Sequence, residues 1–143
     1  MREIKFRAWD KNKKDMIFDS IEFETRLLNS NSDGDGSRYI GFSNFHFNLF
    51  EIMQFTGLTD KNGKEVYEGD VVKGIEYWPF HPNESIDETI GEIIFDELLY
   101  GYSITDGNKP ICHMDEIEVI GNVYQNPELL WLIFKNHWLI ICS

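Results

Sequence analysis

Cysteine is scarce in this chain. Cys112 and Cys142 are the only two, too few for a disulfide scaffold and without the close spacing of a metal site, so the expectation is a reducing compartment. Long apolar runs are lacking as well. The most apolar segment, the last fifteen residues LLWLIFKNHWLIICS, is split by Lys135, Asn136 and His137 into runs below the roughly 20 residues that a bilayer crossing needs. The N-terminus, MREIKFRAWD, has no continuous apolar stretch of the kind a signal peptide carries. These absences point to a cytoplasmic protein with no membrane partner.

Basic residues are in deficit: thirteen Lys and Arg stand against twenty-five Asp and Glu, for a net charge of −12. So acidic a surface repels phosphate backbones and disfavours nucleic-acid binding in general. The deficit is uneven. Residues 1–14 hold Arg2, Lys5, Arg7, Lys11, Lys13 and Lys14 against Glu3 and Asp10, a local charge of +4 that leaves −16 on the remainder.

Signatures of catalysis are missing too. There is no Walker loop or dinucleotide fingerprint, and Gly41 to Phe45, GFSNF, lacks the second glycine of a nucleophile elbow. Asn31, Asp33, Asp35 and Gly36 fit four positions of a calcium loop, but Phe42 stands where the bidentate Glu belongs. His46, His81, His113 and His137 are dispersed, and Cys112-His113 reads as sheet material rather than half a zinc site. The neighbours Asp87-Glu88 and Asp115-Glu116 would point to opposite faces of a strand and so not converge on one substrate. The expectation is no metal, no cofactor and no enzyme activity.

What the chain does have is strand and turn grammar. Gln54 to Val72, QFTGLTDKNGKEVYEGDVV, centres on Asn62-Gly63, which suits a two-residue hairpin turn because both residues tolerate positive φ. Phe55 and Leu58 before it, and Val66 and Tyr67 after it, suit a half-buried sheet. Glu68-Gly69-Asp70 then bends the chain into a new strand at Val71, and the plain reading of its two acids is that they solvate the bend. Ile4, Phe6 and Ala8 alternate with Lys5, Arg7 and Trp9, the period of a strand with one face inward. Asp10 to Lys14 is a polar turn returning through Met16 to Phe18. Asn29 to Ser37 is a polar loop, and Phe45, Phe47 and Leu49 recur at period two.

Further along, Trp78 to Ser85 reads as a loop, Gly91 to Phe95 and Leu98 to Ile104 as strands, and Asp106-Gly107-Asn108 as a turn. Met114 to Glu116 reads as a short helical or 3₁₀ step, and Ile117, Val119 and Gly121 as a strand closing near Tyr124. Asn126-Pro127-Glu128 has the order of an N-cap, a first helical residue and an acid in the first turn, predicting a short helix from Pro127 to about Lys135. The sum is a mainly β protein, all-β or α+β, with antiparallel strands, a small barrel from Val71 through Tyr124 and one C-terminal helix. An N-terminal β-rich segment, residues 1–53, would pack on or extend a barrel portion with helix and apolar tail, residues 54–143. Trp9, Tyr77, Trp78, Phe80, Tyr100 and Tyr102 read first as core and second as a stacking platform for bases.

Three blocks, MREIKFRAWDKNKKDM, QFTGLTDKNGKEVYEGDVV and IEVIGNVYQNPELL, in this order and spacing resemble the YopX family of small proteins encoded by phages and prophages. The resemblance implies a β-rich fold with an SH3-like barrel, a prophage origin and a host cytoplasmic location. It implies no activity and no catalytic residue. Of the residues in these blocks, Lys5, Arg7, Trp9, Asp10, Asp60, Glu68 and Asp70 are the candidates for an interaction surface, with Gly63 and Gly69 explained by turn geometry.

Two functions follow as expectations. One is a non-catalytic accessory protein that binds a host or phage protein, with its acidic body imitating DNA phosphates. The other is nucleic-acid binding through the Lys5, Arg7 and Trp9 edge. Leu129 to Phe134 is apolar nearly all round a helix, and Trp138 to Ile141 adds another run. That predicts a homo-oligomer with contacts from Leu130, Trp131, Phe134, Trp138 and Ile140.

Overall fold

A computed structural model describes residues 3–18, 49–76, 88–105 and 109–141, the side chains of Glu76 and of residues 136–141 excepted. Two compact units divide it. One is Glu3–Gln54, and the other begins at Phe55 and takes in the rest of the chain. The boundary falls inside a strand, so that strand's two parts are described with different units.

In the first unit, β1 (Phe6–Asp10) lies between β2 (Asp15–Ile17) and the first part of β3 (Phe50–Thr59), antiparallel to each. Simple alternation does not hold along β1. Phe6 is exposed and Arg7 buried, Ala8 and Asp10 are buried, and Trp9 is half-buried. Both faces of this central strand carry buried residues, so a period-two reading that puts one face in water misplaces Arg7. The β1–β2 turn is as read: Asp10 Oδ1 accepts from the N–H groups of Asn12 and Lys13 at 2.9 and 3.0 Å.

The second unit starts with the later part of β3, paired to β4 (Glu65–Tyr67). The turn between them is longer than two residues. Asp60 and Lys64 close it through Asp60 N–H to Lys64 O, and the Gly63 N–H donates to Asp60 O. Gly63 alone has positive φ, +80°, and Asn62 does not. This is the three-residue loop built on a type I turn with a left-handed glycine, and it tolerates almost any residue at 62.

A five-stranded antiparallel sheet follows, in the order β8-β7-β6-β5-β9, and curls into a half-barrel. Its strands are β5 (Asp70–Glu76), β6 (Glu88–Asp96), β7 (Gly101–Ile104), β8 (Lys109–Pro110) and β9 (Met114–Asn122). The half-barrel thus falls where a barrel was expected. Two details differ from expectation. The 3₁₀ turn occupies Ile111–His113, with Met114 already in β9, and Leu98 to Tyr100 belong to the β6–β7 turn rather than to β7. Within β9 the adjacent acids do not simply alternate, because the register shifts opposite Lys73 and Ile75 and Glu116 takes φ +50°. Such a bulge re-aims side chains, and Asp115 and Glu116 are both exposed.

The half-barrel core is aliphatic with one aromatic. Val66, Val72, Ile93, Tyr102, Ile104 and Met114 are buried together, with Ile117 and Val119 packed against them. Ile93 sits directly opposite Ile104 across β6 and β7. Each fully buried aliphatic contributes about 1.5–3 kcal/mol, so this cluster is the main source of stability of the unit. The Tyr102 ring adds an edge-on contact with Phe95, centroids 5.6 Å apart.

The helix, α1, runs from Leu129 to Ile141, six residues beyond the expected end, because Lys135-Asn136-His137 do not interrupt it. Its start also differs. Pro127 and Glu128 form a turn, and Asn126 Oδ1 accepts from the Asn122 N–H at 3.3 Å instead of from the helix. Gly121 on β9 makes room for this arrangement: a Cβ there would come within 2.6 Å of both Asn126 Oδ1 and Leu129 Cδ1. Gly121→Ala should therefore cost about 1–2 kcal/mol in urea denaturation, with the loss concentrated in the α1 signal by hydrogen exchange. Unchanged protection of α1 amides would count against close docking at Gly121.

The loop Asn29–Ser37, the Phe45 and Phe47 alternation, the Trp78 to Ser85 segment with Tyr77, and the Asp106-Gly107-Asn108 turn lie outside the described residues. So do Phe42, His46, His81, Asp87 and Cys142.

Candidate functional site

Asp60 and Asp70 of the middle block are buried, contrary to the reading that placed them on a surface. Asp60 sits under the β3–β4 loop, where its Oδ1 accepts from the N–H groups of Asn62 and Lys64 at 2.8 and 2.9 Å and its Oδ2 from that of Val119 at 3.0 Å. The loop is thereby fixed along β9. Two neighbouring contacts reinforce it: the Lys61 N–H donates to Ile117 O at 2.8 Å, and Lys61 Nζ meets Glu118 Oε2 at 2.6 Å. Burial alone would raise the Asp60 pKa, but the three backbone N–H groups outweigh it and hold the carboxyl below its ordinary 3.8. On the solvent side, their hydrogen bond and mutual charge raise the pKa of Lys61 and lower that of Glu118.

Asp70 is more enclosed still, at 1% exposure. Its Oδ2 accepts from the Tyr67 N–H at 2.8 Å, so it shapes the Glu68-Gly69-Asp70 bend from within and does not solvate it. Gly69, at φ +77°, extends the bend's reach: its N–H donates to Ile93 O and its carbonyl accepts from the Val123 N–H, both at 2.9 Å. Glu68 is half-buried. The bend therefore ties β6 and the end of β9 to the start of β5.

Of the N-terminal candidates, Arg7 and Asp10 are buried and Trp9 is half-buried. Lys5 is half-buried and lies 3.4 Å from Glu3, and Lys11 pairs with Glu51. The structure brings Arg7 and Trp9 to one side of β1, opposite Met53 and Glu51 respectively, and leaves Lys13 and Lys14 exposed at the turn. Tyr102 is core and Tyr100 fully out in solvent, so these two aromatics do not form a stacking platform.

A repeated device escaped sequence reading. Asp10, Asp60, Asp96 and Asn122 each use Oδ1 to accept the N–H two residues on, with distances of 2.9, 2.8, 2.8 and 3.1 Å. The signal was there in Asp-Lys-Asn, which occurs at 10–12 and again at 60–62, and which suits an Asx turn. Among the described residues no group of three His, Cys, Asp or Glu is placed to hold a metal ion, and no helix is long and apolar enough to cross a membrane.

Among the described residues of the second unit, two strongly exposed apolar surfaces stand out. On α1, Trp131 and Phe134 are each 63% exposed and, three residues apart, share a face. Leu130 beside them is half-buried and Ile133 buried. Trp138 and Ile140 are on α1, with side chains outside the description. At the β6–β7 turn, Leu98 and Tyr100 are 87% and 88% exposed.

The family model described as YopX protein matches residues 5–131 of this sequence. The chain belongs to the YopX family. The match takes in the nine described strands and ends at the third residue of α1, so the matched span covers both Asp-Lys-Asn turns, the Gly69-Asp70 bend and the Gly121 seat of the helix. Among solved structures, the chain is similar to protein EF1440 from Enterococcus faecalis, at 27% sequence identity and a TM-score of 0.53, over 91% of this chain and 99% of that one. No curated protein matches it.

Proposed function

We propose that this YopX-family chain is a non-catalytic accessory protein of phage or prophage origin that works in the host cytoplasm by binding a basic host or phage protein. The observation that carries the reading is how its acids are divided. Asp10, Asp60 and Asp70, the buried carboxylates of the family blocks, accept from the chain's own backbone N–H groups, which commits them to shape. The exposed acids include Glu88, Asp115 and Glu116 at one end of the half-barrel sheet, and Glu88 and Asp115 both stand opposite Ile75 in the register. Two strand spacings of about 4.8 Å separate that pair, and the negative charge beyond residue 14 adds a long-range field of the same sign. Such a face can occupy a site built for phosphates.

Self-association through the apolar face of α1 belongs to the same proposal, supported by the exposure of Trp131 and Phe134. Nucleic-acid binding is the less favoured alternative, because Arg7 is buried and Lys11 is engaged by Glu51. Affinity capture from lysogenic cells, with mass spectrometry, tests the main reading. The expected result is a basic protein retained at about 50 mM salt and released by about 200 mM, and lost when Glu88, Asp115 and Glu116 are all changed to Lys. Retention of nothing at low salt, or a partner indifferent to that triple change, would sink it.

A further inference from the structure

The β6–β7 turn presents an apolar tip. Asp96 Oδ1 accepts from the N–H groups of both Leu98 and Leu99, at 2.8 and 3.2 Å, so the acid caps the turn. Tyr100 sits at φ +49°, a left-handed conformation that a bulky residue adopts at a cost and that glycine would adopt freely. The chain thus holds a large aromatic in a strained position only to leave it, with Leu98, almost fully in water. Strain retained where no internal contact explains it points to a surface used for recognition.

The exposed face of α1 is a second uncovered apolar surface among the described residues of this unit, and the two differ in charge. Over its thirteen residues α1 has no acid and a single Lys or Arg, Lys135, whose Nζ lies 5.2 Å from the centre of the Trp131 ring. The tip has no base and two acids, Asp96 and the exposed Glu97. Tip against tip would bring four carboxylates together. Helix against helix would bring two ammonium groups together. Tip against helix places Glu97 near Lys135 while Leu98 and Tyr100 meet Trp131 and Phe134, the arrangement that is complementary in both charge and polarity.

We propose that two copies of this chain associate with the β6–β7 tip of one seated on the Trp131–Phe134 face of α1 of the other. The inference rests on the self-association reading above and names the surface that α1 meets. A two-fold arrangement closes the contact reciprocally, each tip on the other copy's helix, and makes the contact twice. A one-sided, head-to-tail contact would instead build a ring where the rotation closes and an open filament where it does not.

Sedimentation equilibrium of the full chain over the micromolar range tests it. Glu97→Lys and Lys135→Glu should each weaken association about tenfold or more, and the double exchange should return it to within about threefold of the parent. Both side chains are exposed, so the denaturation midpoints of the monomer, taken at concentrations too low for association, should stay put. Tyr100→Gly supplies a readout of opposite sign, raising the midpoint of the monomer while weakening association, whereas a purely structural Tyr100 would lower the midpoint. A parent protein that stays monomeric throughout defeats both readings. If Trp131→Glu dissociates it but the charge exchanges have no effect, α1 self-association stands and the tip contact is overturned.

Discussion

Asp60→Ala should destabilise the protein by about 3 kcal/mol in urea denaturation, since it strips the acceptor from three backbone N–H groups at once and hydrogen bonds to a charged group are worth about 1.5–3 kcal/mol each before solvent takes over the exposed ones. The Val119 N–H is the costly one. It lies on β9, 59 residues away in sequence, whereas Asn62 and Lys64 are exposed and their N–H groups can turn to water. Asp60→Asn keeps one acceptor oxygen and should recover part of the loss. The acid limb gives an independent check. The folded pKa lies below the ordinary 3.8, so the stabilisation is complete above that value and is lost as pH falls through the folded pKa. Asp60→Asn should flatten that limb. An unchanged acid limb would mean that the carboxylate is not ionised in its cradle.

Asp70→Ala should cost a similar amount, about 3 kcal/mol, for a different reason. Here a buried donor, the Tyr67 N–H, loses its partner in a place that water does not reach, and the side chain's volume is vacated at 1% exposure. Asp70→Asn, which keeps an oxygen at that position, should recover more than half. The pair of alanine variants can be told apart by hydrogen exchange: Asp60→Ala should loosen β9 near Val119 first, and Asp70→Ala the start of β5. Equal, global loosening by both would contradict the separate roles given to them.

The fold was largely legible in the chain because turn chemistry is local. Asn62-Gly63 marked the hairpin, Gly69-Asp70 the redirection into β5, and the spacing of aliphatic pairs from Val71 to Gly121 the half-barrel. The turn length at Asn62 was not legible, since Asn-Gly serves two-residue and three-residue loops alike and the choice lies in whether Asp60 closes the loop. The helix was placed within two residues at its start and missed at its end, because Lys135-Asn136-His137 is polar but contains no helix breaker.

The acids misled for a physical reason. Asp in a turn normally faces water, and nothing local says that Val119, far along the chain, will offer an N–H to Asp60 or that Asp70 will be roofed over. Arg7 misled similarly, because alternation assumes that one face of a strand is wet, and β1 carries buried residues on both faces. Exposure of Leu98 and Tyr100 could not be read either, as LLY next to a strand looks like its continuation until Asp96 is seen capping the turn.

The docking of the Asp60 loop along β9 has a consequence for what the sheet can become. Among the described residues β9 is the longer of the two outer strands of the five-stranded sheet, and an outer strand with bare N–H and C=O groups is a template on which foreign strands can grow. Asp60 and Lys61 occupy the Val119 N–H and the Ile117 carbonyl on that side, and the opposite margin, β8, is two residues long. The hairpin loop thus works as a chain terminator for the sheet. It keeps growth by strand addition closed at the middle of β9.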